Sequence, residues 1–428
     1  MPWPPVSLAE DDRRYLWHPF TQQRGWEQDE PLAIAEADGA WLIGEDGRRY
    51  IDGVSSLWCN VHGHRHPILD LAVKDQLDRV AHTTLLGLTH EPAVELARRL
   101  VEIAPDGLTR VFYSDKMAFQ YWQQRGGADA RRTRFVSLDG AYHGDTLGSV
   151  SVGGIELFHS AYRPLLFEPL RAPAGDAAAM ERVLGEHSGE VAAVIVEPLV
   201  QGAAGMLLQP PGYLRRVREL CDAYDVLLIC DEVATGFGRT GRMFACEHER
   251  VTPDLMCLGK GITGGYLPLA ATLATERIYD GFMGDYEEFR TFFHGHTYTG
   301  NPLACAAGLA SLRLFEQERT LERLQPKISL LTELLEPVGA MPAVAEVRQR
   351  GFMCGIELGG FPVEARMGHQ VTLEARRRGA VIRPLGDVVV LMPPLAIAQR
   401  ELRTLVEIVG EAIEAAAADY AAATPLAA

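Results

Sequence analysis

"GYLRRVRELCDAYDVLLICDEVATGFGRTG" (residues 212–241) contains a whole structural unit and the start of a site. Leu214, Val217, Leu220 and Cys221 recur at three- and four-residue spacing, so residues 212–225 read as a helix with one apolar face. The run "VLLIC" (226–230) follows directly and has the length of a buried strand. Asp231 then breaks the apolar run with a carboxylate. Further strand-sized runs stand at 110–114, 134–138 and 191–196, and "AVELARRLVEI" (93–103) has a helical period. Strands alternating with helices predict an α/β fold with a mostly parallel sheet covered by helices. In such sheets ligands collect beyond the carboxyl ends of the strands, where Asp231 would sit.

The flanks differ. "AWLIGEDGRRYIDG" (40–53) reads as a hairpin turning at Glu45–Gly47. Residues 321–338 and 401–423 read as helices, and 347–358 and 388–394 supply strands. We expect a large domain over 61–315 and a smaller α/β domain built from 1–60 and 316–428.

At 428 residues, 47% apolar and 23% charged, the chain has an ordinary globular composition. A formal charge of −16 argues against a nucleic-acid or acidic-membrane binder, which needs a basic face. Seven scattered cysteines form no C-x-x-C pair, so a reducing cytoplasm is expected rather than a disulfide framework. No apolar run approaches a bilayer span, and the N-terminus does not read as a secretory signal.

"CLGKGITGGYLP" (257–268) sets Lys260 among four glycines. A phosphate-binding loop would need Gly where Asp254 stands and Ser or Thr where Gly261 stands. A solvated turn is the plain alternative. Taken with Asp231, a third reading opens. Pyridoxal phosphate uses a lysine for its Schiff base and a carboxylate for its pyridinium nitrogen. Tyr142 in "GAYHGDT" (140–146) could lie on one face of that ring, and Val233 on the other. Glu197 and Gln201 stand at another strand end. His62, His64 and His66 alternate in "HGHRH", which on a strand would put them on one face; packing or loop histidines are the plainer reading than a metal site. "RRTR" (131–134) reads as a solvated basic approach to a strand.

The segments "CDEVATGFGRTG", "GKGITGGYLP", "YHGDT", "EPLVQG" and "HGHTYTGNPLACAA" together resemble the class III aminotransferases, pyridoxal-phosphate enzymes of fold type I. "LWHPFTQ", "GVSSLWCNVHGHRHP", "LLGLTHEPAVELA" and "VIRPLGD" are similar to the branch that aminates 8-amino-7-oxononanoate in biotin biosynthesis, usually from S-adenosylmethionine and in some members from lysine. The resemblance implies Lys260 as the Schiff-base lysine, Asp231 as the pyridinium partner and Tyr142 as a ring-stacking and substrate residue. It implies cofactor contacts from Val233, His143 and Glu197, and from His296 and Thr297 toward the phosphate held by the other subunit of a homodimer. Phe20, Leu57, Trp58 and Gly295 would border the substrate, with Arg383 on its carboxylate. Phe20 and Leu57 depart from the commoner Tyr and Trp, which raises the lysine-using alternative beside S-adenosylmethionine. Another class III ω-amino acid aminotransferase is the alternative within the class.

The chain is also shorter than that pattern. Relatives carry a small-residue turn and a helix start where Asp115 here meets Lys116, and these cradle the cofactor phosphate. Shortenings also fall near 171–179 and 357–364. The resemblance then leaves two accounts: a sequence that omits these loops, or a cofactor-poor, non-catalytic homologue.

Overall fold

A computed structural model describes residues 8–113 and 117–423. Its centre is a seven-stranded sheet in the order Leu108–Phe112, Ala271–Thr275, Leu255–Leu258, Leu227–Asp231, Val191–Val196, Arg134–Leu138, Leu170–Ala172. Every neighbouring pair is parallel except those made by Ala271–Thr275, which runs antiparallel to both its neighbours. The strands Val191–Val196 and Leu227–Asp231 are almost wholly buried, as continuous apolar runs require in a covered parallel sheet.

The opening stretch folds as its spacing predicts. Tyr213–Ala223 is a helix that buries Leu214, Val217, Leu220 and Cys221. It enters through Gly212, whose φ of +84° is a left-handed conformation that glycine adopts without a Cβ clash. The following strand ends on Asp231, paired in register with Cys257 of the neighbouring parallel strand. Lys260 begins the turn three residues beyond that partner.

Two four-stranded sheets flank this centre. In one, the hairpin strands Trp41–Gly44 and Arg49–Asp52 are joined in parallel by Ala380–Val381 from the far end of the chain. The other contains Val344–Arg350, Met353–Leu358, Val388–Leu391 and Arg383–Leu385. The N- and C-terminal parts thus share one sheet.

Arg239 ties these parts to the centre. Only 2% exposed, its guanidinium donates to the backbone oxygens of Asn60 at 2.6 Å and Pro393 at 2.7 Å, with a longer bond of 3.4 Å to Met392. No carboxylate within 4 Å neutralises it among the described residues. Replacing it with methionine keeps the volume but leaves buried carbonyls unpaired. Arg239→Met is expected to lower stability by about 3 kcal/mol. A denaturant midpoint within error of the parent would contradict this.

The plainer reading of the three histidines holds, and one other expectation needs correction. His62, His64 and His66 do not share a strand face. They go to separate partners: His62 Nε2 to Ser311 Oγ at 3.1 Å, His64 to Asp52 at 2.8 Å and His66 to Glu318 at 3.2 Å. Backbone bends at Gly63 and Arg65, both with positive φ, break the alternation. The stretch 131–134 is not simply solvated either. Arg132 stacks 4.3 Å from the Trp122 ring and donates to the Asp225 carbonyl at 2.7 Å, just before the strand Leu227–Asp231, so it is tied to the protein rather than free in solvent.

Candidate active site

The carboxyl ends of the central strands deliver four polar side chains to one place. Asp231 ends its strand and accepts from its own loop, with Val233 N at 3.1 Å from Oδ1. Its other oxygen, Oδ2, lies 2.7 Å from His143 Nδ1. Glu197 follows the strand Val191–Val196; its carboxylate accepts from Tyr142 N at 3.1 Å and Gly202 N at 3.0 Å. Burial pushes its pKa up to about 7, an effect that Asp231 adds to and His143 opposes.

Lys260 has a φ of +42°, left-handed backbone that a non-glycine residue adopts only when its surroundings hold it there. Its Nζ lies 4.7 Å from the centre of the Trp58 ring. Burial lowers the pKa of this amine, with Asp231 and Glu197 acting against that shift. A desolvated amine loses its proton more readily and is the better nucleophile and proton carrier.

The glycines around Lys260 serve close packing. A Cβ on Gly259 would stand 3.1 Å from Val233 Cγ1, and one on Gly265 would stand 2.8 Å from Asn60 Cα. Val233 is thereby pressed onto the backbone just before the lysine.

A cavity of about 520 Å³ opens beside this cluster, lined by Asp231, His143 and Val233 at one end. Phe135, Ile195, Ile229 and Leu255 give the rest an apolar floor, and Met117–Phe119 border it. His143 Nε2 is buried with no hydrogen-bond partner among the described residues, and so is Trp58 Nε1. A flat ring with a cationic nitrogen suits this lining, which supplies a carboxylate for the nitrogen and an aliphatic side chain for one face; Lys260 is not among the lining residues but is close enough to Asp231 to feel its charge. The residues present therefore fit the pyridoxal ring. The stretch compared above with a phosphate cradle, Asp115–Lys116, lies outside the described residues.

Trp58 sits in a strained loop. Ser55, Ser56 and Trp58 all have positive φ. The loop is held by Asp52, whose buried carboxylate accepts from Val54 N and Ser56 N at 3.1 and 2.9 Å and meets His64 at 2.8 Å. Leu57, next to Trp58, is 49% exposed and Phe20 is 58% exposed.

Residues 23–413 match the Aminotransferase class-III family. The chain belongs to it. This class III aminotransferase is 58% identical, over 95% of its own length and 82% of the relative's, to the adenosylmethionine-8-amino-7-oxononanoate aminotransferase of Nitratidesulfovibrio vulgaris. That alignment runs to 442 residues although this chain has 428, so the relative carries residues that this chain lacks. Among solved structures it is similar to adenosylmethionine-8-amino-7-oxononanoate aminotransferase from Methanocaldococcus jannaschii, at 43% identity and a TM-score of 0.93, covering 95% and 98% of the two chains. It is also similar to the omega transaminase from Pseudomonas jessenii solved in complex with PMP, at 28% identity and a TM-score of 0.91, covering 96% and 99%. The fold is that of the fold type I transaminases, as the sequence predicts.

Within the class III aminotransferase, Lys260, Asp231, Glu197, Tyr142, His143, Val233 and Trp58 come together as described. Gly295, His296 and Thr297 do not join them; all three are exposed, in a loop whose hydrogen bonds are local. Arg383 is half-buried at the start of its strand, with no side-chain polar partner among the described residues. Sequence reading missed two residues. Asp145 accepts from the Tyr142 hydroxyl at 2.8 Å. Phe158 stands edge-on to both Tyr142 and Phe20, at 6.2 and 5.5 Å between ring centres, and joins two candidate substrate residues into one aromatic wall. Asp145 was legible, three residues past Tyr142 in the same motif; Phe158 carried no local signal.

Proposed function

We propose that this chain is a pyridoxal-phosphate enzyme converting 8-amino-7-oxononanoate to 7,8-diaminononanoate, with S-adenosylmethionine or lysine as amino donor. The observation that carries the reading is the desolvated amine of Lys260 beside the Asp231–His143 pair. The names of the relatives above supply the substrate.

When bound, pyridoxal phosphate accepts electrons from the substrate carbon whose bonds are rearranged. The protein's own part follows from its geometry. Lys260 Nζ is the group that attaches the cofactor and moves a proton to and from the substrate carbon. Asp231 would hold the ring nitrogen protonated, and His143 Nδ1, 2.7 Å from Oδ2, fixes the orientation of that carboxylate. Val233 and the Tyr142 ring would close the two faces. Tyr142 stays protonated, since burial and Asp145 both raise its pKa, and its hydroxyl is directed by Asp145. Arg383 takes the substrate carboxylate with its planar fork. Phe20, Leu57, Trp58 and Gly295 border the carbon chain.

The active form is a homodimer in which His296 and Thr297 reach the partner's cofactor phosphate. Large exposed apolar side chains support this, among them Trp17, Leu86, Tyr286 and Phe293. The small domain comprises 1–60 and 316–428. No described helix is long and apolar enough to cross a membrane, and a cytoplasmic setting suits the free thiols.

Phe20 and Leu57 offer neither the hydroxyl nor the indole commoner at these positions, which keeps lysine open as a donor beside the S-adenosylmethionine that the relatives' names give. The test is product formation from 8-amino-7-oxononanoate with each donor separately. Turnover with neither donor, but with another ω-amino acid, would overturn the substrate assignment. Arg383→Gln is expected to raise KM for 8-amino-7-oxononanoate by about 10–100-fold, the worth of a charged hydrogen-bond pair. An unchanged KM would remove Arg383 from this role.

A further inference from the structure

A second cavity, of about 800 Å³, lies between the segment Thr240–Arg242, the helix Thr320–Gly339 and the strand Val344–Arg350. Arg242, His248 and Arg350 line it together, and none of them has a part in the chemistry above. We propose that this cavity is a binding site for a phosphate-bearing small molecule, held between the guanidinium groups of Arg242 and Arg350.

The argument is one of unmet charge. Most of the other polar lining is already satisfied within the protein. Gln325 Nε2 donates to the carbonyls of Gly241 and Leu321 at 2.9 and 3.0 Å. Gln349 Nε2 donates to the Gly351 carbonyl at 3.1 Å, and its oxygen accepts from Thr332 at 3.0 Å. His248 Nε2 lies 3.1 Å from the Thr240 carbonyl oxygen, so this ring too has its partner within the protein.

The two arginines differ from these. Among the described residues neither has a carboxylate within 4 Å, in a chain whose net charge is −16 and where many arginines are paired. Arg350 Nε is buried and has no hydrogen-bond partner. Two carboxylates are near enough to consider. Glu336 lines the same cavity without pairing with either arginine, and Glu247 feels Arg242 electrostatically but turns toward the Phe244 backbone. The field of the two cations is felt by His248, whose pKa falls to about 4, first through burial and then through Arg350 and Arg242. Two guanidinium groups lining one space match the oxygens of a phosphate.

The test uses the cofactor-loaded protein, so that the cofactor's own phosphate site is filled. Inorganic phosphate and a nucleoside monophosphate are titrated separately by calorimetry. Saturable binding is expected, weakened at least about 10-fold in Arg350→Gln and in Arg242→Gln, each removing one charged fork. The second substitution is at an exposed side chain, so it serves if the first variant fails to fold. Tighter binding of the nucleotide assigns a nucleotide ligand; equal binding assigns the free anion. Phosphate should also raise the His248 titration midpoint, read by NMR of the ring protons, by about one unit. The proposal is overturned if neither compound binds saturably, or if both variants bind as the parent does.

Discussion

Lys260→Ala is expected to abolish the visible absorption of the cofactor-loaded protein and to lower transamination by at least about 10⁴-fold. Two roles are lost together: covalent attachment of the cofactor and transfer of the substrate proton, of which acid–base catalysis alone is worth about 10²–10⁴-fold. The surroundings offer no replacement. The amine lies over Trp58, and the nearby polar groups Asp231, Glu197 and His143 cannot form the same bond with an aldehyde. Loss of fold is separated from loss of chemistry by far-ultraviolet circular dichroism, which should not change. An alanine variant that keeps both colour and turnover would show that another lysine carries the chemistry.

Asp231→Asn should cost about 10²–10³-fold in kcat, the range seen when a single electrostatic contact to developing charge is lost. The change keeps the shape and the hydrogen bond to Val233 N but removes the charge that holds a ring nitrogen protonated. It also alters the pair with His143, whose Nδ1 is 2.7 Å away. Expected with it is a displaced absorption maximum of the bound cofactor, since the ring's protonation state changes. A variant with parental kcat and parental spectrum would separate Asp231 from the ring nitrogen.

These two residues were the most legible part of the site. A carboxylate directly after five apolar residues can only stand at a strand end, and in a parallel sheet that end faces the ligand. The lysine was legible through its company, since four glycines so close together signal backbone in tight quarters. What the glycines accommodate was not legible. Gly259 makes room for Val233 and Gly265 for Asn60, and such contacts between distant segments leave no local trace. The same holds for Phe158, which joins Tyr142 to Phe20 across more than a hundred residues of chain.

The fold was read well where a segment's period decided its state, as in the helix Tyr213–Ala223 and the strand after it. It was read less well where a side chain's partner decided the outcome. The alternating histidines would share a face only on a strand; positive-φ residues between them turn each toward a partner that the sequence did not name. Arg239 lies in a loop rich in glycine, and only the carbonyls of Asn60 and Pro393 explain why it is buried.

That arginine also sets an order of events. The ribosome makes residue 239 well before residues 392 and 393, so during synthesis the guanidinium has only the Asn60 carbonyl to meet. Until the last of its acceptors emerges, the nascent chain holds a hydrated cation where the finished protein holds a dry one. A truncated product that stops short of Pro393 therefore keeps that socket open to water, and proteases should find it there first.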